Sequence, residues 1–211
     1  MSLENWLAFV ATAAVVLAIP GPTILLVISY SLTHGRKVAG ATVAGVALGD
    51  FTAMTASMLG LGALLTTYAS LFSVLKWVGA AYLVYLGIKL WRAPVQTAEI
   101  DKAEAEAGLR PMRIFLHTYT VTALNPKSII FFVAFLPQFL DVNQPFLAQM
   151  VIFEVTFLVL ATLNAGLYGL LASTARNTIR SPRVQRAVNR TGGTLLIGAG
   201  FLAAGMRRAA T

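Results

Sequence analysis

The sequence contains no cysteine and two histidines among 211 residues. The first absence excludes a disulfide framework, a thiolate metal site, an iron–sulfur cluster and a cysteine nucleophile. The two histidines, His34 and His117, are too few and too far apart for a zinc-protease motif. No Gly-x-Ser-x-Gly elbow occurs either, so an intramembrane hydrolase or transferase lacks the nucleophile, base and orienting group it would need. Charge is equally scarce, at 11% of residues against about 25% in soluble domains. Apolar residues make up 57% and mean hydropathy is +0.75. A chain of this size cannot hide that much apolar surface in water, so its solvent is largely lipid.

Six apolar stretches are present. They run roughly from Leu3 to Ser31, Val38 to Thr66, Ser70 to Trp91, Ile114 to Leu140, Pro145 to Ser173 and Thr191 to Met206. At about 20 residues per span, the expectation is one all-α integral membrane domain with six transmembrane helices. The first stretch is led by Glu4 and no basic residue, unlike a signal peptide. The net charge of +8 would suggest a nucleic-acid partner if the charges formed one face. Instead they collect in alternate connections. Eleven of the 16 Lys and Arg residues lie in connections one, three and five (Arg36, Lys37; Arg92, Lys102, Arg110, Arg113; Arg176, Arg180, Arg183, Arg186, Arg190), and two close the C-terminus. The positive-inside rule places those connections in the cytoplasm and both termini outside a plasma membrane. The segment 93–112 is the one long polar stretch, read as a solvated connector or short surface helix.

The halves of the chain are related by offset. Pro22 and Pro126 are 104 positions apart, as are Asp50 and Glu154. Gly79, Leu83 and Gly87 match Gly192, Leu196 and Gly200 at an offset of 113. Repeat one covers about 1–92 and repeat two about 113–211. Three spans per repeat force the two into opposite orientation, and inverted three-helix repeats belong to secondary transporters whose sites lie at the repeat interface.

Span one is interrupted by Pro20-Gly21-Pro22 and span four by Asn125-Pro126-Lys127. Proline removes a backbone donor and clashes with a preceding carbonyl, so neither helix can run through unbroken. Freed backbone groups in hydrocarbon must be satisfied by protein or water, which turns both breaks inward. A helix restarted there aims its N–H groups at the middle of the membrane, an arrangement that suits a carboxylate. Pro20, Gly21, Pro22, Asn125, Pro126 and Lys127 are therefore the expected substrate-binding residues. Asp50, Glu154 and Lys127 cost about 2.5–3.5 kcal/mol each within a span, so they should face one another or a wet cavity. Asp50 and Glu154 could carry protons or hold an ammonium group. Lys127 could meet a carboxylate or neutralise one of the two acids. Gly45-x-x-x-Gly49 in span two is read as a packing or dimer contact, leaving a homodimer open.

These same residues carry a family resemblance. Pro20-Gly21-Pro22, Gly45 with Gly49-Asp50, the stretch from Lys76 through Gly79-Ala80-Ala81-Tyr82-Leu83 to Tyr85-Leu86-Gly87, and Asn125-Pro126-Lys127 followed by Phe131-Phe132 and Phe135-Leu136-Pro137-Gln138-Phe139 resemble the LysE/RhtB family of amino-acid exporters. The resemblance runs in order over essentially the whole chain. It implies a six-span exporter of amino acids or related metabolites, coupled to the proton motive force, with no cofactor and a small-molecule partner. It leaves the substrate open, as members differ among basic amino acids, homoserine, threonine and leucine-like compounds. A non-transport assembly or sensor subunit is the competing class. Metal-ion efflux is a weaker rival, because two carboxylates without His or Cys make a poor transition-metal site.

Overall fold

Helix boundaries follow from local chemistry. In the computed structural model, which describes residues 2–67, 77–92 apart from 79, 83, 86 and 90, 110–174 apart from 142, and 181–205, every regular element is helical. Lys76, Gly79, Leu83, Lys102, Arg176, Arg180, Arg207, Arg208 and connector residues 93–109 lie outside the described residues. Helix α1 (Leu3–Ala18) starts at Ser2, whose hydroxyl accepts from the Asn5 amide, and carries Glu4 in its first turn. It ends because Ile19 precedes a proline and is held extended, at φ −83° and ψ 115°. Helix α2 (Pro22–His34) begins with proline at its first position, where no amide donor is missed. It stops at Gly35, whose φ of 65° only glycine adopts without strain. A 3-10 turn (Gly35–Val38) then leads into α3 (Ala39–Thr67).

The second half repeats this grammar. Helix α4 (Pro111–Ala123) has proline at its start and ends at Leu124. Helix α5 (Pro126–Ile130) restarts behind the Asn125 cap and runs into a π turn (Phe131–Phe135) and a 3-10 turn (Leu136–Gln138). Helix α6 (Phe146–Thr174) and helix α7 (Pro182–Gly205) follow. The sixth apolar stretch was expected to begin at Thr191. Instead α7 starts at Pro182, and Arg183, Arg186 and Arg190 ride on its first turns. Arg190 lies 5.4 Å from the Trp91 ring centroid, a cation–π contact that anchors this basic turn.

Among the described residues, three helical stretches, Pro22–Gly60, Pro111–Gln138 and Phe146–Ser173, are long and apolar enough to cross a membrane. Val151, Val155, Val159, Leu163, Leu167 and Leu171 are exposed along the length of α6, as apolar side chains turned toward lipid should be. The core has two unequal parts. The larger joins α1, α3, the π turn and α6. Phe9 sits 4.6 Å from Phe153 and 5.6 Å from Phe139, and Phe132 sits 4.8 Å from Phe157, all between ring centroids. The π turn inserts an extra residue into the helix, and Phe131, Phe132 and Phe135 are all fully buried. The smaller core lies among α2, α3, α4 and α6, around Val27, Val46 and Ala165 and around Tyr30, Val38 and Ile114. On that side the hydroxyls of Ser31, Thr118 and Thr122 are buried without a hydrogen-bond partner.

Helix α3 packs against α4 closely enough that only glycine fits. A Cβ on Gly45 would lie 2.8 Å from the Phe115 carbonyl oxygen, and one on Gly49 would lie 2.6 Å from Thr122 Cβ. The Gly45-x-x-x-Gly49 motif thus serves a contact inside the chain. Gly40 and Gly60 border open space.

Candidate functional site

The two helix breaks meet. The Asn125 side chain caps α5 by accepting from the Lys127 amide at 3.1 Å, and its Nδ2 donates to Thr23 Oγ1 on α2 at 3.1 Å. Between the breaks lies a cavity lined by Leu17, Gly21, Thr23, Ile24, Val46, Asp50, Asn125, Lys127, Ser128, Ala161 and Asn164. Its free volume of about 20 Å³ admits a water molecule and nothing as large as an amino acid.

The charges in it are arranged with opposite polarity. Asp50, only 3% exposed, lines the cavity beside Ser128 and is attracted electrostatically by Lys127. Lys127 Nζ donates to the carbonyl oxygens of Val16 (3.0 Å) and Ile19 (2.8 Å) at the end of α1. That helix end needs such donors, because its last carbonyls have no intrahelical partner and no water can be spared for them in hydrocarbon. Helix α6 supplies the rest. Asn164 Nδ2 donates to Leu17 O at 3.0 Å and Tyr168 Oη donates to Ala18 O at 2.6 Å. Side chains from the second half of the chain thus meet every carbonyl from Val16 to Ile19. The start of α2 is different. Its cap is Gly21, which offers no side-chain acceptor, so the first amides of α2 carry no side-chain cap.

The structure therefore brings together Gly21, Asp50, Asn125 and Lys127 in one cavity, with Pro20, Pro22 and Pro126 making the breaks that form it. Glu154 is buried elsewhere: it accepts a hydrogen bond from Thr55 on α3 and does not line the cavity. Thr23, Ser128, Asn164 and Tyr168 were not anticipated. Asn164 and Tyr168 had a usable signal, a polar pair at i, i+4 in the largely apolar second half of its helix. Replacing Asn164 with alanine leaves the Leu17 carbonyl without its donor. The expected cost is about 1–3 kcal/mol, seen as a lower melting temperature of the purified protein in detergent. Among the described residues, no cluster of three or more His, Cys, Asp or Glu could hold a metal ion.

Paired helix breaks enclosing buried charges, inside helices that present apolar faces outward, define a multi-pass membrane transporter rather than an enzyme. The comparisons with known proteins carry this to a family. The LysE type translocator family matches residues 14–206. A homoserine/homoserine lactone efflux protein of Salmonella typhi is 34% identical over 209 residues, covering 99% of this chain and 100% of its own length. A leucine efflux protein of Klebsiella pneumoniae is 33% identical over 140 residues, covering 66% of this chain and 65% of its own. A membrane protein of Vibrio cholerae is 32% identical over 206 residues, covering 97% and 98%. No solved structure matches. The chain belongs to the LysE type translocator family.

Proposed function

We propose that this protein exports a zwitterionic amino acid or a close relative across the inner membrane, in exchange for protons, by alternating access. The observation that carries the reading is a buried cavity with poles of opposite sign. The uncapped amides at Thr23 and Ile24 suit a carboxylate, and Asp50 suits an ammonium group. A cavity this small must widen before such a solute can load.

The two-repeat architecture is part of this proposal, and the helix contacts support it. Exchanging the halves turns the α3–α4 contact into the contact of α6 with α1 and α2, and both occur. The crossing of the 77–91 helical segment over α7 is more specific. Gly87 abuts Gly193 O and Ile197, and Gly200 abuts Ala80 O and Val84. The pairs Gly87/Gly200, Ala80/Gly193 and Val84/Ile197 are each 113 positions apart. A two-fold exchange of halves maps one contact onto the other. With three spans per half the repeats are inverted, and the basic connections put both termini outside.

In this reading α1, α6 and the aromatic cluster close one end of the cavity. The smaller core, with its unpaired buried hydroxyls at Ser31, Thr118 and Thr122, is the side that wets when the site opens toward the basic connections. The test is efflux from cells preloaded with a panel of amino acids, including L-homoserine and L-leucine, with and without the protein. At least one compound should leave faster when the protein is present. Equal retention of all of them removes the export reading. An assembly or sensor role has no observation here that favours it.

A further inference from the structure

We propose that the end of α1 together with Asp50 forms a cradle for a primary ammonium group, and that Lys127 is its resident occupant, displaced by the amine of the substrate. The proposal rests on the export reading above for the identity of the displacing molecule, and on the geometry alone for the cradle.

Lys127 Nζ is held as a bound cation would be. It donates to two carbonyls of one helix end, Val16 O and Ile19 O, where the helix dipole concentrates negative charge. Asp50, on α3 and lining the same cavity, adds electrostatic attraction. Gly21 lets the backbone close on the group: a Cβ there would lie 3.3 Å from both Nζ and Cε of Lys127. The neighbouring carbonyls, Leu17 O and Ala18 O, are already taken by Asn164 and Tyr168, so the acceptors left to a cation are those Lys127 uses.

An ammonium carries three donors and no acceptor, whether it ends a lysine side chain or starts an amino acid. The cradle therefore cannot distinguish the two by chemistry, only by tethering. Lys127 reaches the site on a flexible four-carbon stem from the restarted helix α5, so its withdrawal also frees room in a cavity that otherwise admits only water. Filling the cradle in the empty protein keeps Asp50 and the α1 carbonyls satisfied between transport cycles. It also ties α1, across a separation of more than 100 residues, to α5. Displacement by substrate releases that tie. This differs from a role for Lys127 as the clamp for the substrate carboxylate, in which its charge would face the opposite pole of the solute.

A tethered competitor acts at an effective concentration in the millimolar range or above, and removing it tightens binding of a weak free ligand. The test measures equilibrium binding to purified full-length protein for three probes: L-homoserine, 3-amino-1-propanol (amine without carboxylate) and 4-hydroxybutyrate (carboxylate without amine). Lys127→Met should bind the two amines about 3- to 10-fold more tightly than the unaltered protein does. It should not gain affinity for 4-hydroxybutyrate. Weaker binding of the two carboxylates, with the amino alcohol unchanged, would make Lys127 a carboxylate clamp and overturn the proposal. Equal affinities in both proteins would make it a structural cation and overturn it too.

A second measurement needs neither a folded methionine variant nor the export reading. Methylammonium should raise the melting temperature of Lys127→Ala and leave that of the unaltered protein in place, whereas tetramethylammonium, which has no N–H donors, should do neither. Absence of the selective methylammonium effect overturns the cradle. The effect without homoserine binding by either protein upholds the cradle and counts against amino-acid export.

Discussion

Asp50→Asn should reduce efflux of whichever panel compound the unaltered protein exports by about 100-fold or more, with the variant present in the membrane at its normal level. Asp50 is buried in the cavity and is the acid that attracts Lys127 electrostatically. Asparagine keeps the shape and removes the charge. Truncating one partner of a buried charge pair costs about 3–5 kcal/mol, chiefly because the other charge is left uncompensated. At about 1.4 kcal/mol per factor of ten, that corresponds to about two to three and a half orders of magnitude. In the proposed mechanism the same loss falls on the substrate amine, which finds carbonyls but no carboxylate. Glu154→Gln is the internal comparison. Glu154 lies outside the cavity and is met by a neutral hydroxyl, Thr55. Glutamine keeps an acceptor for that hydroxyl, so this substitution should cost about tenfold or less, the scale of one neutral hydrogen bond. Efflux from preloaded cells, measured for both variants across pH, checks the pair. If Asp50→Asn exports at the normal rate and pH dependence, Asp50 has no role in binding or coupling. If Glu154→Gln is the more damaging, the coupling acid is Glu154 and the cavity is not the whole site.

Gly49→Val should prevent accumulation of folded protein, with a loss of about 3 kcal/mol or more. A Cβ at this position would lie 2.6 Å from Thr122 Cβ, 2.9 Å from the Tyr119 carbonyl oxygen and 3.0 Å from Thr122 Cγ2. A flexible side chain could swing away from such an intrusion, but the Tyr119 carbonyl belongs to the backbone of α4. Relief requires the two helices to separate, and neither the α3–α4 interface nor Asp50, the next residue, would keep its place. Gly60→Ala on the same helix is the control. Nothing lies within 4 Å of a Cβ there, and alanine is the better helix former by about 1 kcal/mol. That variant should fold at least as well as the unaltered protein. Thermal unfolding in detergent, followed by retention of the monodisperse peak on size-exclusion chromatography, separates the two cases. A Gly49→Val protein with an unchanged melting temperature would mean that α3 and α4 do not pack as closely as described.

Much of this architecture was legible in the sequence for reasons that are local. A proline disfavours an α-helical residue before it and removes the amide donor at its own position, so Ile19-Pro20-Gly21-Pro22 and Asn125-Pro126 marked the interruptions of their helices locally. The small charged fraction had to mean lipid, and it made Asp50, Glu154 and Lys127 conspicuous. The helix start of α7 was less legible. Pro182 is a good first residue for a helix, but the arginines behind it read as a connection, because hydropathy marks where a helix enters lipid and not where it begins.

The pairing of these groups was not legible. Lys127 had two readings from sequence, a partner for a carboxylate or a neutraliser of an acid. In the fold its ammonium is bound by Val16 O and Ile19 O. Asp50 and Glu154 looked equivalent by their shared offset, yet one lines the cavity and the other faces Thr55. The glycine motif looked equally suited to a second copy, and it is filled by Thr118 and Thr122 of the same chain. Composition and backbone covalent geometry act over a few residues, so the solvent, the breaks and the groups that could not remain unsatisfied follow from the order of the amino acids. Which donor reaches which acceptor depends on how α1, α5 and α6 pack across more than 100 residues of separation, and that emerges only in the folded chain.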